Sequence, residues 1–169
     1  HDAVLGGRQA LVARVLLVGQ RLVELEGGQH IGTGEGVRLD ASLQVAIMRV
    51  DDEPDFQDII AKRLKRMGIA LIQADCCDTA MLQLESHAMG VVIMDVNMPG
   101  IDGIKCLRKV KKQQPDAEVI ILTGHASVKT GIEGMQSGAF DYCLKPIDVL
   151  ELLEKVELAA QKYLINKAQ

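Results

Sequence analysis

Tryptophan is missing from this sequence, and its 169 residues include only two Phe and two Tyr. Any core must therefore be aliphatic, and at 48% apolar residues the chain has enough material to fill one. No run of about 20 apolar residues occurs, so no transmembrane helix is expected. The first residue, His1, is not a Met and does not open a basic-then-apolar leader, which points to a processed or truncated start. Excess positive charge is lacking as well. The net charge of −4 argues against direct binding of nucleic acid or of an anionic membrane. The four cysteines, at 76, 77, 106 and 143, fit neither a zinc pattern nor a Cys-x-x-Cys motif. Cys76 and Cys77 are poor disulfide partners for each other, and reduced thiols in a cytoplasmic protein are expected.

The chain changes character near residue 44. From Val45 onward short apolar runs alternate with amphipathic stretches. Val45 to Val50 reads as a buried strand interrupted by Arg49. Asp51-Asp52-Glu53-Pro54-Asp55 then places acids and a proline where a helix starts. Phe56, Ile59, Ile60, Leu64 and Met67 recur at helical spacing, and Gly68 closes that helix. Ile69–Ile72 is a second strand. Asp78–Glu85 is a helix expected to bury Met81, Leu84 and Leu82. Val91 to Met94 is uninterruptedly apolar, as in a parallel strand covered on both faces. Asn97-Met98-Pro99-Gly100 makes a loop, and a helix with Ile104, Leu107 and Val110 ends before Pro115. Glu118–Leu122 is a fourth strand, Ser127–Gln136 a glycine-weakened helix, Phe140–Leu144 a fifth strand, and Asp148 to about Asn166 the last helix.

Five such strand–helix units predict an α/β fold with a parallel sheet between two layers of helices, joined by right-handed crossovers. Ligands of such sheets bind beyond the carboxyl ends of the strands. Asp51 and Asp52 follow the first strand, Asp95 the third, Thr123 the fourth and Lys145 the fifth. The fold would therefore gather three carboxylates, a hydroxyl and an ammonium on one rim. Clustered carboxylates repel one another unless a cation is present. A hard oxygen-rich site is what magnesium selects. A carboxylate can attack phosphorus, and a metal, an ammonium and a hydroxyl can answer the charge on the transferring phosphoryl oxygens.

In this order the residues resemble the receiver domain of bacterial response regulators. The matching pieces are Val50-Asp51-Asp52-Glu53, Met94-Asp95-Val96-Asn97-Met98-Pro99-Gly100-Ile101-Asp102-Gly103, Leu122-Thr123-Gly124 and Leu144-Lys145-Pro146. The resemblance spans residues 45–166. It implies a (βα)5 flavodoxin-like, doubly wound sheet of strand order 2-1-3-4-5, phosphorylated by a histidine kinase or phosphotransfer protein in a two-component system. It makes Asp95 the phosphoacceptor, Asp52 a direct Mg2+ ligand, Asp51 an acid reaching the metal through water, and the backbone carbonyl of Asn97 a further ligand. Thr123 and Lys145 resemble the pair that bonds the phosphoryl oxygens, and Tyr142 the aromatic that turns inward on activation. Gly124 resembles the small residue that leaves the site open. His125 is a candidate modulator of water attack, although a plain loop residue explains it as well. Arg49 departs from the apolar residue usual at its place. Its stem is expected to be buried with its charge at a helix edge.

Other features have simpler readings. Lys105, Arg108, Lys109, Lys111 and Lys112 read as a solvated basic face. Gly32-Thr33-Gly34-Glu35-Gly36 lacks nucleotide-loop spacing and reads as turns. Residues 1–44 read as a β-hairpin-rich extension, or the remnant of an upstream domain, before a receiver over 45–169. A hairpin is expected across 11–26 and a third strand near Val37–Leu39. Output is expected from a partner or second subunit, from the N-terminal segment, or from a further part of a larger regulator or hybrid kinase. It would be driven from the face of the fourth helix, fifth strand and fifth helix, where Val128, Ile132, Val149 or Leu152 would supply apolar contacts. Two alternatives stand beside the signalling reading. An aspartyl-phosphate phosphohydrolase would want a second Asp two residues after the nucleophile, where this chain has Asn97. A degenerate receiver serving only as a binding platform sits poorly with intact Asp95, Thr123 and Lys145.

Overall fold

The computed structural model describes residues 45–53, 60–64, 66, 71–98, 100–124 and 128–169. The expectations for residues 1–44, Gly68, Pro99 and His125 lie outside these. Five strands are described: β1 Ile47–Val50, β2 Leu71–Ala74, β3 Val91–Asp95, β4 Glu118–Thr123 and β5 Asp141–Leu144. Residues 60–64 are helical (α1). The other helices are α2 Cys77–Ser86, α3 Gly103–Gln113, α4 Val128–Gln136 and α5 Val149–Ala168. The strands form one sheet of order β2-β1-β3-β4-β5, every pair parallel, as the resemblance implies.

The sheet is parallel and central because its middle strands are apolar on both faces. Met48, Val50, Val92, Met94, Val119 and Ile121 pack on one side with Ala80, Leu84, Ile104 and Leu107 from α2 and α3. Ile47, Val91, Ile93, Ile120 and Leu122 pack on the other with Ile60, Leu64, Leu152, Leu153 and Val156. Helix starts follow local chemistry. The Asp102 carboxylate accepts from the Ile104 amide at 3.0 Å, and Asp148 does the same for Leu150 at 2.8 Å.

Several expectations need correction. The second strand runs on to Ala74, and the first begins at Ile47. Leu82 is exposed, because it lies roughly 200° round α2 from the buried Ala80. Leu152 is buried within the core stripe of α5 with Leu153 and Val156, so it cannot line an output face. Cys77 and Cys106 form a disulfide between α2 and α3, with Cα atoms 5.8 Å apart, where reduced thiols were expected. Each sits on the core-facing stripe of its helix, and the two helices pack on the same face of the sheet. Cys76 and Cys143 are free thiols. Among the described residues no helix is long and apolar enough to cross a membrane.

Candidate functional site

The sheet register aligns the strand ends. Val50 lies beside Met94, Asp95 beside Leu122, and Thr123 beside Leu144. The residue that ends or follows each strand therefore reaches one rim. Asp51 continues the edge by donating its amide to Ala74 at 3.0 Å, and the Lys145 amide donates to the Thr123 carbonyl at 2.8 Å. On this rim a carboxylate oxygen from each of Asp51, Asp52 and Asp95 lies within 4.8 Å of the others. Asp51 and Asp95 are buried, whereas Asp52 is exposed. Three carboxylates so close make a hard oxygen donor set able to hold a metal ion.

Lys145 answers part of this charge. Its Nζ donates to Asp95 Oδ2 at 2.9 Å and to Asp51 Oδ2 at 3.2 Å. Burial works against its charge, but these carboxylates outweigh it and raise the pKa of the ammonium. Asp51 is the mirror case. Burial opposes its ionisation, yet the Glu53 amide at 2.8 Å, the Arg49 guanidinium and the Lys145 ammonium together hold its pKa below the ordinary carboxylate value. Asp95 Oδ1 accepts the Asn97 amide at 2.9 Å. This bond ties the turn after β3 to the Asp95 side chain.

Thr123 is buried at the end of β4, and its hydroxyl accepts the Asn97 side-chain amide at 3.2 Å. Tyr142 is half-buried against the core under α4. Among the described residues, a Cβ added at Gly124 would meet nothing within 4 Å, which leaves space beside Thr123 on that side. The structure thus gathers Asp51, Asp52, Asp95, Asn97, Thr123 and Lys145, with Gly124 at their edge.

Three contributions to the site were given no such role by the sequence. Arg49 does not sit at a helix edge. It is fully buried, and its Nη2 contacts Asp51 Oδ2. The Asn97 side chain engages Thr123, where only the Asn97 carbonyl was expected to matter. Gly103 opens α3 directly against the turn after β3. A Cβ there would stand 2.5 Å from Val96 Cα and 2.7 Å from the Asp95 carbonyl oxygen, so a side chain would displace the backbone that presents Asp95. The sequence signal was present in this last case, as the glycine eight residues after Asp95.

An acid cluster, a lysine and a hydroxyl on the carboxyl edge of a 2-1-3-4-5 sheet define a class of phosphorylation-controlled domain. Residues 47–157 match the response regulator receiver domain, and the chain belongs to that family. The C4-dicarboxylate transport transcriptional regulatory protein DctD of Pseudomonas aeruginosa is 33% identical over 121 residues, covering 70% of this chain and 26% of that protein. The DNA-binding transcriptional regulator NtrC of Salmonella typhimurium is 32% identical over 114 residues, covering 68% of this chain and 24% of the relative. The chain thus spans about a quarter of the length of these curated relatives. Among solved structures, the beryllofluoride-activated NtrC4 receiver domain dimer superposes with a TM-score of 0.67 at 29% identity, over 70% of this chain and 98% of that one. A response regulator from Burkholderia pseudomallei, solved with a phosphorylated aspartic acid and a calcium ion, gives a TM-score of 0.64 at 27% identity, over 73% of each chain.

Proposed function

We propose that Asp95 accepts a phosphoryl group from a histidine kinase or phosphotransfer protein, in a site that holds Mg2+ through Asp51, Asp52, Asp95 and the Asn97 carbonyl. The observation that carries this reading is the contact of Lys145 with Asp95 at 2.9 Å on a rim with two more carboxylates. A carboxylate oxygen of Asp95 attacks phosphorus, and the bond from phosphorus to the donor's nitrogen or oxygen breaks. Lys145 shifts from the Asp95 carboxylate to a phosphoryl oxygen, which exchanges one charge-assisted bond for another. The Thr123 hydroxyl donates to a second phosphoryl oxygen, and the open space at Gly124 admits the donor and later water. Magnesium, when bound, neutralises the clustered carboxylates and withdraws charge from the phosphoryl oxygens.

The chain is proposed to catalyse only its own phosphorylation and dephosphorylation. Asn97, two residues after the acceptor, cannot supply the proton that a phosphohydrolase needs for turnover. Residues 45–169 are the receiver in this reading, and residues 1–44 are an extension or part of a further domain. The chain spans about a quarter of its curated relatives' length, which supports reading it as the receiver of a larger regulator that controls an attached or separate output; a cytoplasmic location is part of this proposal. The output face is α4, β5 and α5, where Ile132, Met135, Leu144 and Leu150 are exposed apolar residues that a partner or a second copy would cover. The beryllofluoride-activated dimer of the similar NtrC4 receiver supports the dimeric version.

Acetyl phosphate with Mg2+ should add one phosphoryl group to the wild-type chain and none to Asp95→Asn, read by intact-mass spectrometry. A phosphoryl adduct on the folded Asn variant would refute the assignment.

A further inference from the structure

Arg49 is the one residue of β1 that the aliphatic core does not account for. Its side chain is completely buried, in a strand whose other members are Ile47, Met48 and Val50. A guanidinium stays charged at any pH that a protein survives, so a full positive charge lies inside this domain. Burying such a charge costs several kcal/mol unless an anion and further hydrogen bonds compensate it. The strand geometry delivers the anion. Alternate residues share a face, so Arg49 and Asp51 point to the same side, and the guanidinium reaches Asp51 Oδ2.

The consequence falls on the acidic rim. Asp51 Oδ2 receives Arg49 and Lys145, and Asp51 Oδ1 receives the Glu53 amide. Both oxygens are thus engaged before any metal arrives. Among the described residues, the carboxylates of Asp51, Asp52 and Asp95 face the cations of Arg49 and Lys145, so part of the charge that would draw an incoming divalent ion is already answered. We propose that Arg49 is a built-in counter-cation of the acceptor site, which holds Asp51 in place without metal and weakens the site's grip on a divalent ion. The inference rests on the metal-binding reading above. A protein so built would keep its rim ordered at low metal and would need more Mg2+ for phosphorylation than one with an aliphatic residue at position 49.

The test is calorimetric titration of Mg2+ alone into the full 169-residue chain. Wild type is compared with Arg49→Met, which fills the same space without charge, and with Asp52→Ala, which removes a ligand. Arg49→Met should bind Mg2+ about tenfold more tightly, because one buried repelling charge is gone. Its melting point should rise more on adding Mg2+ than the wild type's does. Arg49→Gln, which keeps a donor toward Asp51 but no charge, should also tighten binding, and it carries the test if the Met variant does not fold. Unchanged or weaker binding in the Arg49 variants, with binding lost in Asp52→Ala, would overturn the role of Arg49. Equal binding in wild type and Asp52→Ala would instead overturn the metal site itself.

Discussion

Gly131 of α4 lies over the ring of Tyr142 in β5, so close that a Cβ on the glycine would stand 3.4 Å from three ring atoms. The ring is therefore the floor of α4, and a change in its rotamer removes that support. Thr123, one strand away on β4, is the residue proposed to bond a phosphoryl oxygen, and its strand pairs directly with that of Tyr142. Gly131 and Gly134 lower the intrinsic stability of α4, which makes it an element that a modest ligand energy can shift.

This relationship predicts where activation is felt. Beryllofluoride with Mg2+ should change amide hydrogen exchange chiefly across residues 123–145. A change concentrated in residues 60–64 would contradict the output face proposed here.

The disulfide between Cys77 and Cys106 closes a loop of 29 residues in sequence separation. A closure of that length stabilises a fold by about 3.6 kcal/mol in the chain-entropy account. Protein purified without reductant should show two reactive thiols in denaturant, those of Cys76 and Cys143, and four after reduction. Its urea midpoint should fall on adding reductant. Four reactive thiols before reduction would show that the bridge does not form in solution.

Glu157 is buried on α5, only 6% exposed, and burial followed by the nearby Glu154 pushes its carboxyl up to about 7. A raised carboxyl favours folding in its protonated form. The fold therefore loses stability as pH climbs from 4.5, the ordinary value, to about 7, and the loss is complete above that. Glu157→Gln should be more stable than wild type at pH 8 by about 2 kcal/mol, with the difference vanishing below pH ~4. Urea unfolding at several pH values checks this. A variant less stable at pH 8 would mean that the ionised carboxylate is satisfied in the fold.

Much of the site was legible because its parts are local. The run Val91–Met94 can only be a strand buried on both faces, and that places Asp95 at a carboxyl edge. Leu144-Lys145-Pro146 places the ammonium in the same way. The rest depends on contacts that neighbours in sequence do not announce. Arg49 looked like a residue whose charge would find water at a helix edge. The two-residue period of a strand instead turns it toward Asp51. The partner of Cys77 lies on another helix, and only the packing of α2 beside α3 brings the thiols together. Leu152 was assigned to a surface because helical spacing alone does not say which apolar residue of α5 lies at the centre of its buried stripe.

In the proposed reaction Asp95 is the residue that carries the phosphoryl group. An acyl phosphate on aspartate is reduced by borohydride to homoserine, which marks the residue permanently. The chain should be treated with acetyl phosphate and Mg2+, trapped with borohydride, digested and sequenced by tandem mass spectrometry. Homoserine is predicted at position 95 and at neither Asp51 nor Asp52, and its yield should collapse when the metal is chelated. Homoserine at another position, or an acid-labile phosphoryl group that persists in Asp95→Asn, would contradict the account.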